Sequence, residues 1–204
     1  MKREPELRHA VLAVNGRDIG TEILGKVPGV EEYMRELARM KKEMEQNRLI
    51  VSKKLPIAWE AEKGVVKAKM AIGQDPQAQE GRFVWAPGER GGRGSASGSV
   101  SWQLDVKEAG TYRLWARINT PTSEDDSFYF SACRGEFAKT ECRGPRVLEQ
   151  TEWHTSLTRG WAWAQFPVDL QLPAGPVVLT LHAREDGAKM DRVFISGDAA
   201  EPQD

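Results

Sequence analysis

The chain of 204 residues carries 29 Lys and Arg against 30 Asp and Glu, is 40% hydrophobic and 8% aromatic, and has a formal charge of -1. That length suits one ordinary domain with an appendage, and the even charge excludes the broad attraction to nucleic acid or anionic membrane that a positive excess gives. The apolar runs are far too short to span a bilayer. Met1-Lys2-Arg3-Glu4 leads into Pro5 and Glu6 rather than a hydrophobic block, so neither membrane insertion nor a signal peptide is expected in this sequence.

Aromatic residues divide the chain. All seven Trp lie between Trp59 and Trp163 and all six Phe follow residue 82, whereas residues 1–55 hold only Tyr33. Residues 1–55 read as a hairpin and helix that connect or dock, and residues 56–204 as a separate domain. In the first region, the run His9 to Val14, the tight-turn dipeptide Asn15-Gly16 and the return Asp18 to Leu24 predict a β-hairpin, because both turn residues tolerate positive φ. Pro28-Gly29 then opens a helix over 29–47. Its stripe Val30, Tyr33, Met34, Leu37, Ala38 and Met44 recurs at three- and four-residue steps among charged residues. Such a stripe docks on its own or a neighbouring domain, or pairs with another copy in an oligomer.

From Leu55 the period becomes two. Ser99 to Val106 and Thr111 to Ile118 alternate strictly and, with Lys107-Glu108-Ala109-Gly110 between them, predict a hairpin buried on one face. Further strands are expected at Ile57 to Glu62, Val65 to Ile72, Arg82 to Trp85, Ser127 to Cys133, Trp161 to Val168, Val177 to Ala183 and Met190 to Ser196. Short strands in this number without intervening helix define an all-β fold, an antiparallel sandwich or jelly roll.

Several residues suggest chemistry. Glu60 and Glu62 stand two apart on a predicted strand and so share a face; a hard divalent cation relieves their repulsion, the alternative being a solvated acidic face with Asp191 in an ion pair. Flat aromatic faces stack on the weakly polar C–H surfaces of a ligand, and Trp offers the largest. Trp161, Trp153 and Trp85 are the candidate ligand residues, Trp153 and Trp161 because they flank a Ser/Thr-rich segment expected to form end loops. Trp102 and Trp115, within alternating strands, are assigned to packing. Asp125, Asp126 and Arg117 are the polar candidates, since carboxylates suit paired hydroxyls and a guanidinium suits a uronate or sulfate; loop solvation is their alternative. Glu89 to Gly98 superficially resembles an RGG segment but lacks interleaved aromatics, so no nucleic-acid partner is expected. No nucleophile, metalloprotease or nucleotide-binding motif is present, and no catalytic residues are assigned.

The order of Trp59-Glu60-Ala61-Glu62, Glu80-Gly81-Arg82-Phe83-Val84, Gly98-Ser99-Val100-Ser101-Trp102, Ala109 to Arg117, Trp161-Ala162-Trp163, Leu172 to Leu179 and Arg184 to Val193 resembles carbohydrate-binding modules of families 6 and 35 over residues 57–198. The resemblance implies a non-enzymatic module that brings a larger secreted or cell-surface protein to polysaccharide. It also implies a structural Ca²⁺ held by Glu60, Glu62 and Asp191 with carbonyls near Gly81, and sugar stacking on Trp161 with Trp163 in the core. Where the family 6 pattern has a sugar-reading Asn before the final Asp, this chain has Ala188, Lys189 and Met190. Cys133 and Cys142 can be reduced or paired by sequence alone; the resemblance to a secreted family favours a disulfide. A structural or assembly sandwich working through its helix, and a C-terminal fragment of a polysaccharide lyase or glycoside hydrolase, are the alternatives.

Overall fold

The computed structural model describes residues 13–14, 17–18, 35, 38–39, 42, 48–67, 69–88, 98–137, 144–198 and 200–203. The chain divides into two compact units, 1–40 and 41–204. In the first, β1 (Ala13–Val14) and β2 (Arg17–Asp18) pair antiparallel with Val14 opposite Arg17, while Asn15 and Gly16, where the sequence predicts the turn, lie outside the described residues. Arg35, Ala38 and Arg39 are helical and exposed, although Ala38 belongs to the expected apolar stripe. The rest of that stripe, Glu89 to Ser97 and Cys142 lie outside the described residues.

The second unit is a two-sheet β-sandwich. One sheet combines β3 (Leu49–Val51), β5 (Val65–Lys67), β8 (Ser99–Val106), β10 (Ser127–Arg134), β11 (Arg146–His154) and β14 (Gly175–Ala183). Its order is β11-β10-β14-β8, and the free edge of β8 is shared by β5, antiparallel, and β3, parallel. The other sheet combines β4 (Ile57–Glu60), β6 (Ala71–Gln74), β7 (Arg82–Trp85), β9 (Gly110–Asn119), β12 (Ala162–Gln165), β13 (Leu170–Leu172) and β15 (Lys189–Ser196). Here β9 and β15 are central; β12 and β13 share one flank, β4 and β7 the other, and β6 closes the β7 edge.

Period-two alternation explains the core. Val100, Trp102, Leu104 and Val106 of β8, Phe128 and Phe130 of β10, and Leu179 and Leu181 of β14 face Tyr112, Leu114, Ala116 and Ile118 of β9 and Val193 and Ile195 of β15 across the sandwich, all fully buried. Each large aliphatic or aromatic side chain contributes about 1.5–3 kcal/mol by leaving water.

Four expectations change. Ser99–Val106 and Thr111–Ile118 do not form a hairpin: β8 pairs with β14, β3 and β5, while β9 pairs with β15, β12 and β13. Lys107 to Ala109 therefore form an arch between sheets, tied by Lys107 N–H to the Val51 carbonyl (2.8 Å) and by the Tyr112 hydroxyl to the Glu108 carbonyl (2.6 Å). The strand from Ile57 stops at Glu60, and Ala61–Lys63 is a 3₁₀ turn whose Ala61 carbonyl accepts the Trp102 indole N–H at 3.1 Å. Val65 to Ile72 splits into β5 and β6 on opposite sheets, with Met70 buried at the crossing. Finally, β3 lies within residues assigned to the connecting region, so the sandwich begins before residue 56.

Candidate functional site

Alternation on β9 sends Arg113, Trp115, Arg117 and Asn119 away from the core, onto the outer face of their sheet. Register aligns Trp163 of β12, Arg117 of β9, Arg192 of β15 and Glu60 of β4 in one row across four strands. Trp115 and Phe194 are cross-strand partners in the row beside it. Trp163, assigned to the core, is instead half-buried on this face, edge-on to Phe194 at 6.2 Å and with the Arg192 guanidinium 5.9 Å from its ring. The indole nitrogens of Trp115 and Trp163 are buried without a hydrogen-bond partner.

Two clusters occupy this face. The first comprises the buried acidic candidates Glu60, Glu62 and Asp191 with their arginine partners. Ending β4 at Glu60 puts Glu62 in a 3₁₀ turn, so the two do not share a strand face as expected, yet both are buried, as is Asp191. Glu60 Oε1 lies 2.9 Å from Arg192 Nε, an ion pair by distance whose N–H is not aimed well enough for a hydrogen bond. Asp191 Oδ2 accepts from Arg117 Nη1 and, at 3.0 Å, from the Gln79 backbone N–H. Asp191 Oδ1, Glu60 Oε2 and both Glu62 oxygens are buried with no hydrogen-bond partner. Burial, the largest influence, pushes the Glu60 carboxyl up to about 7 against the pull of Arg192, with Asp191 and Glu62 adding to the rise, and it also raises Glu62 and Asp191.

Buried carboxylate oxygens without donors are costly unless neutralised. Among the described residues no group of three or more acidic, His or Cys side chains is placed to hold a metal ion. The donors are nonetheless of the oxygen type that a hard cation takes, and four of the six carboxylate oxygens are unspent. The solvated acidic face is excluded by burial, while the ion pair proposed for Asp191 is present with Arg117. Gly81 places its carbonyl on the Asp75 N–H at 3.1 Å.

The second cluster is aromatic. Trp161, just before β12, is half-buried; its ring lies 5.5 Å from Phe83, and Phe83 lies 6.1 Å from the half-buried Trp85. Asp75 Oδ2 accepts the Trp161 indole N–H at 3.0 Å. The Arg117 guanidinium stands 5.9 Å from the Trp161 ring and Lys189 Nζ 5.4 Å from the Phe83 ring. Gly73, opposite Phe83 on β6, provides the space for that ring: a Cβ there would overlap it. Trp161 and Trp85 are thus joined through Phe83, with Arg117 beside them. Phe83, Asp75 and Lys189 were given no binding role in the sequence, where Phe83 belonged to the predicted strand Arg82 to Trp85.

The remaining candidates lie elsewhere. Trp153, expected in an end loop, sits on β11 at 2% exposure among Phe128, Phe130 and Phe166, because β11 extends to His154 and turns the ring inward. Asp125 accepts the Thr122 hydroxyl at 2.6 Å, and its carboxylate occupies the space above Gly187. Asp126 lies 3.4 Å from His154 Nδ1, and its backbone N–H donates to Glu185. Both aspartates are half-buried and hold the end loops together.

A β-sandwich with an aromatic platform and buried carboxylates on one sheet face is the class of protein that these observations define. No protein-family model matches the chain, and no curated protein matches it by sequence. Solved structures do. A family 35 carbohydrate binding module from Clostridium thermocellum superposes with a TM-score of 0.51 at 15% identity, covering 69% of this chain and 97% of that one. The Podospora anserina GH26-CBM35 β-(1,4)-mannanase gives 0.52 at 13%, covering 72% of this chain. The Arthrobacter globiformis T6 isomalto-dextranase complexed with panose gives 0.53 at 18%, covering 69%. The chain spans 28% of the mannanase and 23% of the dextranase. At these identities the likeness is one of fold.

Proposed function

We propose that the sandwich is a non-catalytic glycan-binding module of a larger extracellular or cell-surface protein, one that holds its parent on polysaccharide by stacking sugar rings on Trp161. The half-buried Trp161 ring carries this reading: Asp75 and Phe83 fix it, and the Arg117 guanidinium beside it suits sugar hydroxyls or acidic groups. Trp85 extends the same surface. Binding raises the effective concentration of the parent at its polymer without bond chemistry in this chain. Structural likeness to carbohydrate-binding modules supports the reading at the level of fold.

Three further parts belong to the proposal. Ca²⁺ is the structural ion for Glu60, Glu62 and Asp191, supported by their unspent buried oxygens; binding the folded chain alone, it stabilises by mass action. Cys133, fully buried on β10, pairs with Cys142 in an oxidising compartment. Residues 29–47 make contact with a neighbouring domain or a second copy.

A glycan array read with wild type and Trp161→Ala tests the central claim. The expected result is at least one polysaccharide hit that the variant loses while its melting temperature falls by no more than a few degrees. An array without hits, or a hit that survives in the variant, overturns the assignment; turnover of a polysaccharide by this chain would replace it with an enzymatic reading.

A further inference from the structure

A groove of about 420 Å³ lies at the seam between the β11 edge of one sheet and β13 of the other, and it shares no lining residue with the carboxylate cluster or the aromatic platform. Arg134 ends β10, Pro145, Arg146 and Val147 lead into β11, and Gln171, Leu172 and Pro173 belong to β13 and the position after it. The floor is aliphatic, with Leu172 2% exposed and Val147 half-buried, whereas both arginines are exposed. The backbone that presents them is fixed: Arg134 N–H donates to the Pro145 carbonyl (2.9 Å), Gly135 N–H donates to the Pro176 carbonyl (2.8 Å), and Gly144 lies so near the Arg134 carbonyl that a Cβ there would overlap it. The chain has a formal charge of -1, yet among the described residues neither guanidinium has an acidic partner and no carboxylate lines the groove. The groove also opens beside a strand edge. β11 is nine residues long and pairs with β10 but with no other described strand, so alternate backbone N–H and C=O groups along it face outward.

We propose that this seam binds an extended acidic peptide of another protein, with its backbone laid along β11, its aliphatic side chains on Leu172 and Val147, and its carboxylates on Arg134 and Arg146. Each part of the occupant answers a part of the groove. A planar guanidinium takes a carboxylate through two parallel hydrogen bonds, so the two arginines ask for acidic side chains. An edge strand offers main-chain bonds to a peptide, and the pocket beside it sorts alternate side chains. A sugar chain suits the seam less well, because the lining holds no aromatic ring for its C–H faces, in contrast to the platform around Trp161. The proposal does not depend on the glycan reading: the two surfaces have no residue in common, so protein and glycan contacts are separable by mutation.

The test is an NMR titration of the isotope-labelled full chain with four probes: a short capped peptide of alternating Glu and Val, its Gln and Val counterpart, the acidic peptide methylated on alternate backbone nitrogens, and polygalacturonate. Wild type is compared with the double variant Arg134→Gln, Arg146→Gln, whose melting temperature should match because both side chains are exposed. The expected result is a set of saturable shifts at Arg134, Arg146, Val147, Gln171 and along β11 with the acidic peptide. Its affinity should fall about three- to thirtyfold on replacing Glu by Gln in the peptide, and by a similar factor in the double variant, since either change removes two exposed ion pairs. The methylated peptide, which cannot pair with an edge, should bind more weakly than its parent. No saturable shift, shifts that map away from the groove, or a smaller loss on removing the charges overturns the proposal, and equal binding of the methylated peptide overturns the placement along β11. Polygalacturonate that moves the same signals and binds more tightly than the peptide overturns the peptide in favour of an acidic polysaccharide.

Discussion

Glycine at position 73 shows how much of the platform depends on one absent methyl. The Phe83 ring occupies the space over Gly73, and Phe83 is the ring through which Trp161 and Trp85 communicate. Gly73→Ala forces Phe83 off its rotamer, at a cost of about 1–3 kcal/mol, and should change the near-ultraviolet dichroism of the tryptophans; an unchanged spectrum with an unchanged urea midpoint would show that the ring has room to spare. A second contrast separates the tryptophans. Trp153→Ala empties a site between Phe128, Phe130 and Phe166 and should cost about 3–5 kcal/mol in urea denaturation, whereas Trp161→Ala, at a half-buried ring, should cost far less. Equal costs would contradict the separation of core from platform. Trp161, Glu60, Glu62 and Asp191 were singled out in the sequence, chiefly through the family resemblance, and the structure puts Trp161 half-buried and the three carboxylates in buried positions. Phe83, Asp75 and Lys189 were not singled out, since each owes its role to a neighbour brought by register from another strand. Trp153 was misread because the polar segment Thr155 to Thr158 hid the strand just before it.

At the scale of elements, alternation fixes which way a side chain points but not which strand lies alongside. Ser99–Val106 and Gly110–Asn119 were therefore found almost to the residue, yet their partners were not: each buries an apolar face, and two such faces can meet across a core as well as edge to edge. The strands that escaped detection are the marginal ones. Most of β11 is exposed or half-exposed and so lacks a clean apolar period, while β3 and β13 are three residues long. Length does not make β3 dispensable. Its Val51 is 1% exposed, and Leu49–Val51 pairs with Leu104–Val106, the stretch of the β8 edge that β5 leaves open. A chain starting at residue 56 should consequently be less stable than one starting at residue 41 by about 2 kcal/mol or more, and more prone to self-association through the bared edge. Urea midpoints and sedimentation of the two chains check this; coincident midpoints would show β3 to be an ornament of the sandwich.

For the whole molecule, the two sheets differ in what they turn outward, and the sheet opposite the platform carries a response to pH separate from that of the buried carboxyls. Its outer face is polar yet buried: Ser101 meets Thr180 at 3.0 Å, Gln103 bonds the Leu104, Gly135 and Val177 carbonyls, and Ser131 meets His182 Nε2 at 2.8 Å. His182 of β14 stands between Tyr129 of β10 and Ser99 of β8, with Arg146 of β11 and Lys67 of β5 as its charged neighbours. Burial first, then the two cations, hold its imidazole below the ordinary value of 6.5. The folded chain therefore resists a proton that the unfolded chain accepts. Stability that is fully present above pH 6.5 drains away as the pH falls through 6.5 towards the depressed folded value, since the unfolded state then binds more protons. Other groups titrate in the same window, so the diagnostic quantity is the difference between wild type and His182→Asn, measured as urea midpoints from pH 7.5 down to about 5. Wild type should lose stability relative to the variant as the solution is acidified, and raising the salt concentration should shrink the gap only slightly, because burial outweighs the screened Arg146 and Lys67 contributions. A gap independent of pH would mean that His182 is protonated equally in the folded and unfolded chains, and that water reaches this face of the sandwich.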